Sequence, residues 1–191
     1  IIWKVAANLG SYKNVIWLFR SPKATYCNID CLKTLPSSEL YVAFSEIVKH
    51  LLISHENIEE ILEKLHKYFF LLEEGVKDQN INLWKDMLEE SVIIKSWFVL
   101  LDPYDMNGIH KGLSLGHTFA NVIETLMPWF RHWEAVLLWL LMSLHLSIQI
   151  YWNQDLSIIH DWLIQNFNTN YKHLIISRKN IQETLMRDKI S

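Results

Sequence analysis

The segment Pro36–Ile53 reads PSSELYVAFSEIVKHLLI, and this segment decides the fold class. A serine cap after a proline, with Glu39 in the first turn, is typical of a helix start. Beyond it, apolar residues recur at three- and four-residue spacing, which is the period of an amphipathic helix. The segment therefore predicts a helix over about Ser38–Ile53. Its predicted buried face consists of Leu40, Phe44, Ile47 and Leu51.

The same periodicity recurs along the rest of the chain, interrupted by the turn-rich loop Asp102–Gly108. It predicts further helices at about Glu56–Leu72, Asn82–Leu101, His117–Leu126, His132–Tyr151, Leu156–Phe167 and Lys179–Arg187. The N-terminal region differs, because Asn14–Phe19 and Ala24–Ile29 have the composition of short strands. We therefore expect a mainly α fold with a short β segment at the N-terminus. The predicted boundary separates residues 1–35 from a helical domain of residues 36–191.

Composition narrows the function classes. The chain has 191 residues, is 50% hydrophobic and carries a formal net charge of −3, which favours a globular domain with a full core. It has 5 Gly and 9 Trp, and neither GxGxxG nor GxxxxGK[ST] occurs, so no self-contained nucleotide site is expected. Its Lys and Arg residues form no basic stripe, so we expect no nucleic-acid partner.

Two further features bear on the location of the protein. The stretch Ala135–Ile150 is strongly apolar, but it is shorter than the roughly twenty residues of a membrane span and contains His145 and Gln149. We interpret it as a buried core helix and expect no membrane partner. Cys27 and Cys31 have no cysteine partners for a zinc knuckle, and we interpret them as reduced thiols of a cytoplasmic protein.

Two groups of polar residues are candidates for chemistry. Glu46, Lys49 and His50 share one predicted helix, and the first two can project to one side of it. His117 and His132 begin consecutive predicted helices. With a carboxylate, two histidines form a set with an open position that suits a catalytic divalent metal such as zinc. The alternatives are a surface ion pair beside a polar histidine, and helix-capping or core histidines.

The other histidines have no partners at an informative spacing, and we interpret them as surface or core residues. They are His55, His66, His145, His160 and His173.

The order of several motifs resembles the 3-dehydroquinate synthase family of sugar-phosphate cyclases. The motifs run through nearly the whole chain in the family order. They are Lys4-Val5-Ala6-Ala7-Asn8 with Lys13-Asn14, Asp30-Cys31-Leu32-Lys33-Thr34-Leu35-Pro36, Ser45-Glu46-Ile47-Val48-Lys49, Gly108–Leu115 with Gly116-His117-Thr118-Phe119 and Ile123-Glu124, His132-Trp133-Glu134-Ala135-Val136, and Arg187-Asp188-Lys189. The resemblance covers the C-terminal half of a family member.

The resemblance implies a metal- and substrate-binding helical domain, with residues 1–35 as a remnant of the NAD domain and substrate loop. By that resemblance Glu46, His117 and His132 match zinc ligands. The residues that match catalytic or substrate-binding positions are Lys49, Lys95, Lys189, Lys4, Lys13, Asn14, His110, Ser114 and Asn121. The implied reaction is a lyase step of the shikimate pathway to aromatic amino acids. It cyclises a seven-carbon keto-acid phosphate, with elimination of phosphate and transient use of NAD.

The sequence departs from the family pattern at several positions. Asn121 stands where the family has the second His of GHTFGH, and Ser114 replaces the Asn of its LN pair. His110 stands near the family arginine. Trp133 replaces the glycine beside the third ligand, where backbone usually passes close to a bound group. These departures keep open a second class of function, a non-catalytic helical interaction or regulatory domain derived from a sugar-phosphate cyclase.

The chain opens on Ile1 without a methionine, and we expect it to be a fragment or a truncated relative. NAD is then expected from a domain or chain outside it. An apolar surface is expected where such a domain would pack, so we also expect self-association as a homo-oligomer.

Overall fold

A computed structural model describes residues 4–9, 12–19, 22–54, 57–113, 115, 117–127, 132–151 and 154–167. The described part is mostly helical, as predicted. The strands are β1 (Lys4–Leu9) and β2 (Tyr12–Phe19), and the helices are α1 (Ser37–Ile53), α2 (Ile58–Asp78), α3 (Lys85–Leu101), α4 (His117–Leu126), α5 (His132–Tyr151) and α6 (Asp155–Phe167). Short 3₁₀ helices occur at Ile29–Thr34, Ile81–Trp84 and Ile109–Lys111.

The chain divides into two compact units. The first unit contains the described residues from Ala24 to Leu113. The second contains the described residues of Ile2–Lys23 and Ser114–Ser191.

The first unit is built on α1, which packs against both α2 and α3. The predicted buried face of α1 is confirmed, since Leu40, Phe44, Ile47 and Leu51 are all buried. Phe44 is fully buried and meets Phe69 of α2 edge-on, with the ring centroids 5.7 Å apart. Buried side chains of this kind contribute most of the driving force for packing the helices together.

Helix α2 begins where the side chain of Asn57 accepts a hydrogen bond from the backbone N–H of Glu60 at 2.9 Å. It ends at Gln79, whose φ of 53° lies in the left-handed region. The sequence prediction ended this helix at Leu72, which is too early. The helix continues through Gly75 to Asp78, and the indole of Trp84 packs directly against that glycine.

Two other predicted elements differ from the structure. The strand predicted at Ala24–Ile29 is wrong, because residues 24–28 are exposed and belong to no strand, and Ile29 begins the 3₁₀ helix Ile29–Thr34. Asn28 caps that helix, since its side chain accepts a hydrogen bond from the N–H of Asp30 at 3.0 Å. The helix predicted from Asn82 begins as the 3₁₀ helix Ile81–Trp84 and becomes α3 at Lys85. The helix predicted at Lys179–Arg187 lies outside the described residues.

The second unit contains an antiparallel hairpin in which β1 pairs with β2, from Lys4 opposite Phe19 to Leu9 opposite Tyr12. It also contains α4, α5 and α6, with α5 packed against both of the other helices. Helices α4 and α5 share a core whose members are Ala120, Ile123, Ala135, Val136 and Leu138.

Helix α5 is the apolar stretch that the sequence analysis singled out. Over Glu134–Tyr151 its mean hydropathy is 1.4, and it is the one helix of the described residues long and apolar enough to cross a membrane. Length and composition of this kind are shared by core helices of soluble proteins. About 39% of the window is buried within the chain.

Candidate metal and substrate site

Helix α1 brings the carboxylate of Glu46 and the ammonium of Lys49 together. The two residues are one turn apart, and Lys49 Nζ lies 2.5 Å from Glu46 Oε2. The side chain of Lys49 is only 3% exposed and that of Glu46 is 29% exposed. The alternative of a surface ion pair is therefore wrong, since a lysine is almost never buried to this extent unless it is paired.

Burial lowers the pKa of Lys49, because removal from water disfavours the charged ammonium. The negative charge of Glu46 and its hydrogen bond oppose this shift, and the positive charge of Lys95 adds to it. Lys49 and Lys95, two of the predicted catalytic lysines, thus lie on two helices of the first unit that pack together, α1 and α3. A buried lysine with a lowered pKa is more often functional than one at the ordinary value.

A second contact ties α1 to the helix that carries Lys95. His50 Nδ1 and Ser91 Oγ of α3 are 2.6 Å apart, and His50 is buried. Ser91 and Lys95 are one turn apart on α3, so the contact fixes the turn that precedes Lys95. Sequence spacing predicted neither the burial of His50 nor its partner, because the partner lies on a helix far along the chain.

The loop after α3 is held by a buried carboxylate that the sequence analysis did not single out. Asp102 is 1% exposed. It accepts hydrogen bonds from the backbone N–H groups of Met106 at 2.9 Å, Asn107 at 3.0 Å and Ile109 at 3.3 Å. These bonds fix the turn at Gly108, whose φ of 72° favours glycine and which lies two residues before His110. An aspartate followed by proline at the end of an apolar helix was the available sequence signal.

The predicted metal-ligand histidines belong to the second unit. His117 is the first residue of α4 and His132 is the first residue of α5, as the sequence predicted. The two helices that carry these histidines, α4 and α5, pack against each other through a shared core. The meeting of these histidines with Glu46 stays a prediction.

The other predicted substrate-binding residues have defined backbone positions in part. Lys4 lies in β1, Lys13 and Asn14 lie in β2, His110 lies in the 3₁₀ helix Ile109–Lys111, and Asn121 lies in α4. Ser114 and Lys189 are outside the described residues. The roles of all these residues stay predictions.

Within the described residues, no three His, Cys, Asp or Glu side chains lie together in an arrangement that would hold a metal ion. The side chains of His117 and His132 are not among those described, so this observation does not test the predicted ligand trio. The donor set itself fits a metal, since one carboxylate and two imidazoles make up the protein ligands of a common class of catalytic zinc site.

Comparison with known proteins decides the family. Residues 43–191 match the family model described as the C-terminal region of 3-dehydroquinate synthase. The chain belongs to the 3-dehydroquinate synthase family. The resemblance seen in the sequence motifs is thereby confirmed.

Individual relatives agree with this assignment. The 3-dehydroquinate synthase of Alkaliphilus oremlandii is 30% identical over 189 residues, which cover 97% of this chain and 50% of the relative. The 3-dehydroquinate synthase of Campylobacter jejuni is 32% identical over 149 residues, covering 77% of this chain and 41% of the relative. A bifunctional 3-dehydroquinate synthase/phosphatase of Fusobacterium nucleatum is 31% identical over 150 residues, covering 76% and 21%.

A solved structure shows the same fold. It is that of 2-deoxy-scyllo-inosose synthase in complex with carbaglucose-6-phosphate, NAD⁺ and Co²⁺. The TM-score is 0.59 at 19% identity, over 97% of this chain and 49% of that one. The chain thus spans about half the length of the relatives that it matches along nearly its whole length.

Proposed function

We propose that this chain is the metal- and substrate-binding half of a dehydroquinate-synthase-type sugar-phosphate cyclase. The observation that carries the proposal is the buried pair of Glu46 and Lys49 on α1, under the electrostatic influence of Lys95. A buried ion pair is costly to desolvate and is weak evidence for stability, so its presence favours a functional role. The family membership gives that role its chemistry.

In this proposal Glu46, His117 and His132 hold a divalent metal ion. The solved 2-deoxy-scyllo-inosose synthase was crystallised with Co²⁺ and NAD⁺, which supports a metal and NAD as cofactors. Zinc is the metal that the ligand chemistry favours. When bound, the metal would act as a Lewis acid on substrate oxygens.

The lysines supply the rest of the site. Lys49 and Lys95 act as point charges that bind the anionic groups of a sugar phosphate, because an ammonium on a flexible stem can follow a phosphate or carboxylate. Burial makes the ammonium of Lys49 give up a proton more readily than a free lysine does, which suits a group that exchanges protons with substrate hydroxyls. Lys4, Lys13, Asn14, His110, Ser114, Asn121 and Lys189 are proposed to complete substrate binding.

The proposed substrate is a seven-carbon keto-acid phosphate, which is cyclised with loss of phosphate. NAD is bound by a separate domain or chain in this proposal, since the chain carries neither glycine-rich nucleotide fingerprint.

Metal analysis tests the site. The purified wild type should carry zinc in proportion to chain, and Glu46→Ala and His117→Ala should lose it. Glu59→Ala and His66→Ala, at exposed positions of α2, are matched controls that should retain the metal. If wild type, site variants and controls all carry the same trace of zinc, the metal site is wrong.

Phosphate release tests the chemistry. The metal-loaded chain is mixed with NAD, with the keto-acid phosphate, and with or without the separately produced N-terminal half of a relative. We expect release in the mixture that contains both halves, and its loss in Lys49→Met. No release in either format, from a folded and metal-loaded chain, would overturn the catalytic proposal.

The second candidate function is a non-catalytic helical interaction domain. This candidate is favoured by positions at which the chain has a larger side chain and the family pattern has glycine. By the resemblance, Leu51 and Ala120 stand where the family pattern has glycine, and their side chains are 1% and 0% exposed. Trp133, which also replaces a family glycine, follows the third proposed ligand. Metal binding without phosphate release would support this second candidate.

A further inference from the structure

The second unit contains a cleft between α5 and α6 that has no part in the proposed reaction. Its volume is about 390 Å³, and its walls are mostly apolar, with Leu138, Leu141 and Leu146 among them. Three side chains with metal-binding atoms line the same cleft: Met142, His145 and His160. The sequence had left both histidines without a role, because they lie on different helices at an uninformative spacing.

We propose that this cleft binds a copper ion, with the imidazoles of His145 and His160 as its principal ligands. The two ring centroids are 5.9 Å apart and the rings are tilted by 41°. Imidazole nitrogens bind a first-row metal at about 2.0–2.1 Å, which places the ring centres of two ligands on one ion roughly 5 to 6.5 Å apart. The observed separation of the ring centroids falls within this range, so one ion can contact both rings when each presents a nitrogen to it.

A carboxylate orients one of the two rings. His160 Nδ1 lies 3.2 Å from Oδ1 of Asp161, where its N–H donates to the carboxylate. In a neutral ring this hydrogen bond leaves Nε2 with the lone pair. Metal-binding histidines in proteins are typically held in the required tautomer by such an outer carboxylate.

The choice of copper rests on the third side chain. Met142 precedes His145 by three residues on α5, so the two share one face of the helix. A thioether is a soft ligand that selects copper(I), and imidazole binds copper in both oxidation states. Copper(II) is also the ion that nitrogen ligands bind most tightly in the first-row series. Two imidazoles and a thioether leave room for water to complete the coordination.

A titration of copper(II) into the purified chain tests the proposal. The wild type should bind one ion more than either His145→Gln or His160→Gln, because neither variant retains both rings. The electron paramagnetic resonance spectrum of this ion should show coupling to two imidazole nitrogens in the wild type. His66→Gln is the matched control: His66 is an exposed histidine of α2 whose Nδ1 lies 2.7 Å from the carbonyl of Leu62. It should bind as the wild type does.

Two further variants separate the contributions of the outer groups. Asp161→Asn should weaken copper(II) binding by about 10- to 100-fold, the usual effect of losing an outer-shell partner, while both nitrogen couplings remain. Met142→Leu should weaken copper(I) binding more than copper(II) binding. Circular dichroism of the metal-free variants verifies folding, which should be retained because none of the four substituted side chains is buried.

Equal copper stoichiometry in the wild type, His145→Gln and His160→Gln would overturn the proposal. An unchanged copper(I) affinity in Met142→Leu would overturn the role of the thioether. The zinc ligands proposed above are intact in every one of these variants, so the outcome is independent of the proposed catalytic function.

Discussion

At the scale of single residues, Lys49 shows what the sequence can and cannot predict about the site. The spacing of Glu46 and Lys49 predicted that the two side chains project to the same side of α1, and the structure confirms their contact. Spacing could not predict burial, because burial depends on α2 and α3 packing around the helix. The same limit applies to Asp102, whose partners are backbone groups of a loop that only the fold brings around it.

Removal of Glu46 should destabilise the first unit strongly. Glu46→Gln leaves the buried ammonium of Lys49 without its carboxylate, and breaking a buried pair in this way costs about 3–5 kcal/mol. Lys49→Met should cost less, since Glu46 is 29% exposed and can regain water. Urea unfolding at neutral pH measures both effects and, with the double variant, their coupling.

The pair of Asp30 and Lys33 is the matched control for this cycle. It has the same three-residue spacing and a distance of 2.7 Å, but its side chains are 65% and 59% exposed. Lys33→Met should leave the urea midpoint unchanged, because exposed ion pairs contribute little. Equal effects at the buried and the exposed pair would contradict the role assigned to burial.

Tyr41 should make stability fall at alkaline pH. Burial, a hydrogen bond to Glu73 and the negative charge of Glu73 raise the pKa of Tyr41 from 10.0 to about 12. Between these values the folded chain binds the proton and the unfolded chain does not, so the free energy of unfolding decreases as the pH rises from 10 to 12. Unfolding in urea across this range should show a smaller decrease for Tyr41→Phe and for Glu73→Gln. Tyr26→Phe, at a side chain that is 93% exposed, controls for the loss of one phenol.

At the scale of elements, the helical period of apolar residues predicted the helix bounds well where a helix buries one apolar face. The bounds predicted for α4 and α5 agree with the structure, and those of α1 and α6 differ by a residue. The prediction of an element or of its end failed where the structure depends on residues that are distant along the chain. Ala24–Ile29 has strand-like composition but pairs with no strand among the described residues. Helix α2 continues past its predicted end, through Gly75, where the distant Trp84 packs against it.

The close packing of Trp84 against Gly75 should leave no space for a side chain at position 75 of α2. A Cβ on Gly75 would clash with Nε1 of Trp84, whose indole is buried and donates a hydrogen bond to the carbonyl of Leu71 at 3.0 Å. Gly75→Ala should therefore destabilise by about 1–3 kcal/mol through overpacking. Thermal unfolding followed by circular dichroism measures the loss.

The same substitution should reverse its sign once the indole is removed. In a Trp84→Leu background the Cβ has space, and alanine is favoured over glycine within a helix by about 1 kcal/mol. Gly75→Ala should then stabilise that variant. A similar destabilisation in both backgrounds would show that the indole is not the cause.

At the scale of the whole molecule, the low glycine content of the chain bears on how closely its interior can resemble that of the family. The chain has only 5 glycines, and by its resemblance to the family Leu51 and Ala120 stand where the family pattern has glycine. Both side chains are buried. Packing density leaves little space for a ligand where such side chains fill the interior.

Self-association is the expected behaviour of the whole chain. Ile93, Trp97 and Leu100 follow one face of α3 and are 60%, 48% and 77% exposed. Apolar surface that is contiguous in this way typically belongs to an interface, and a second copy of the chain is the partner present in every preparation. Sedimentation equilibrium should show association that increases with concentration. Leu100→Glu should weaken it, while Gln165→Glu, which adds the same charge at an exposed position of α6, should not. A wild type that stays monomeric at high concentration would show that this face does not bind a second copy.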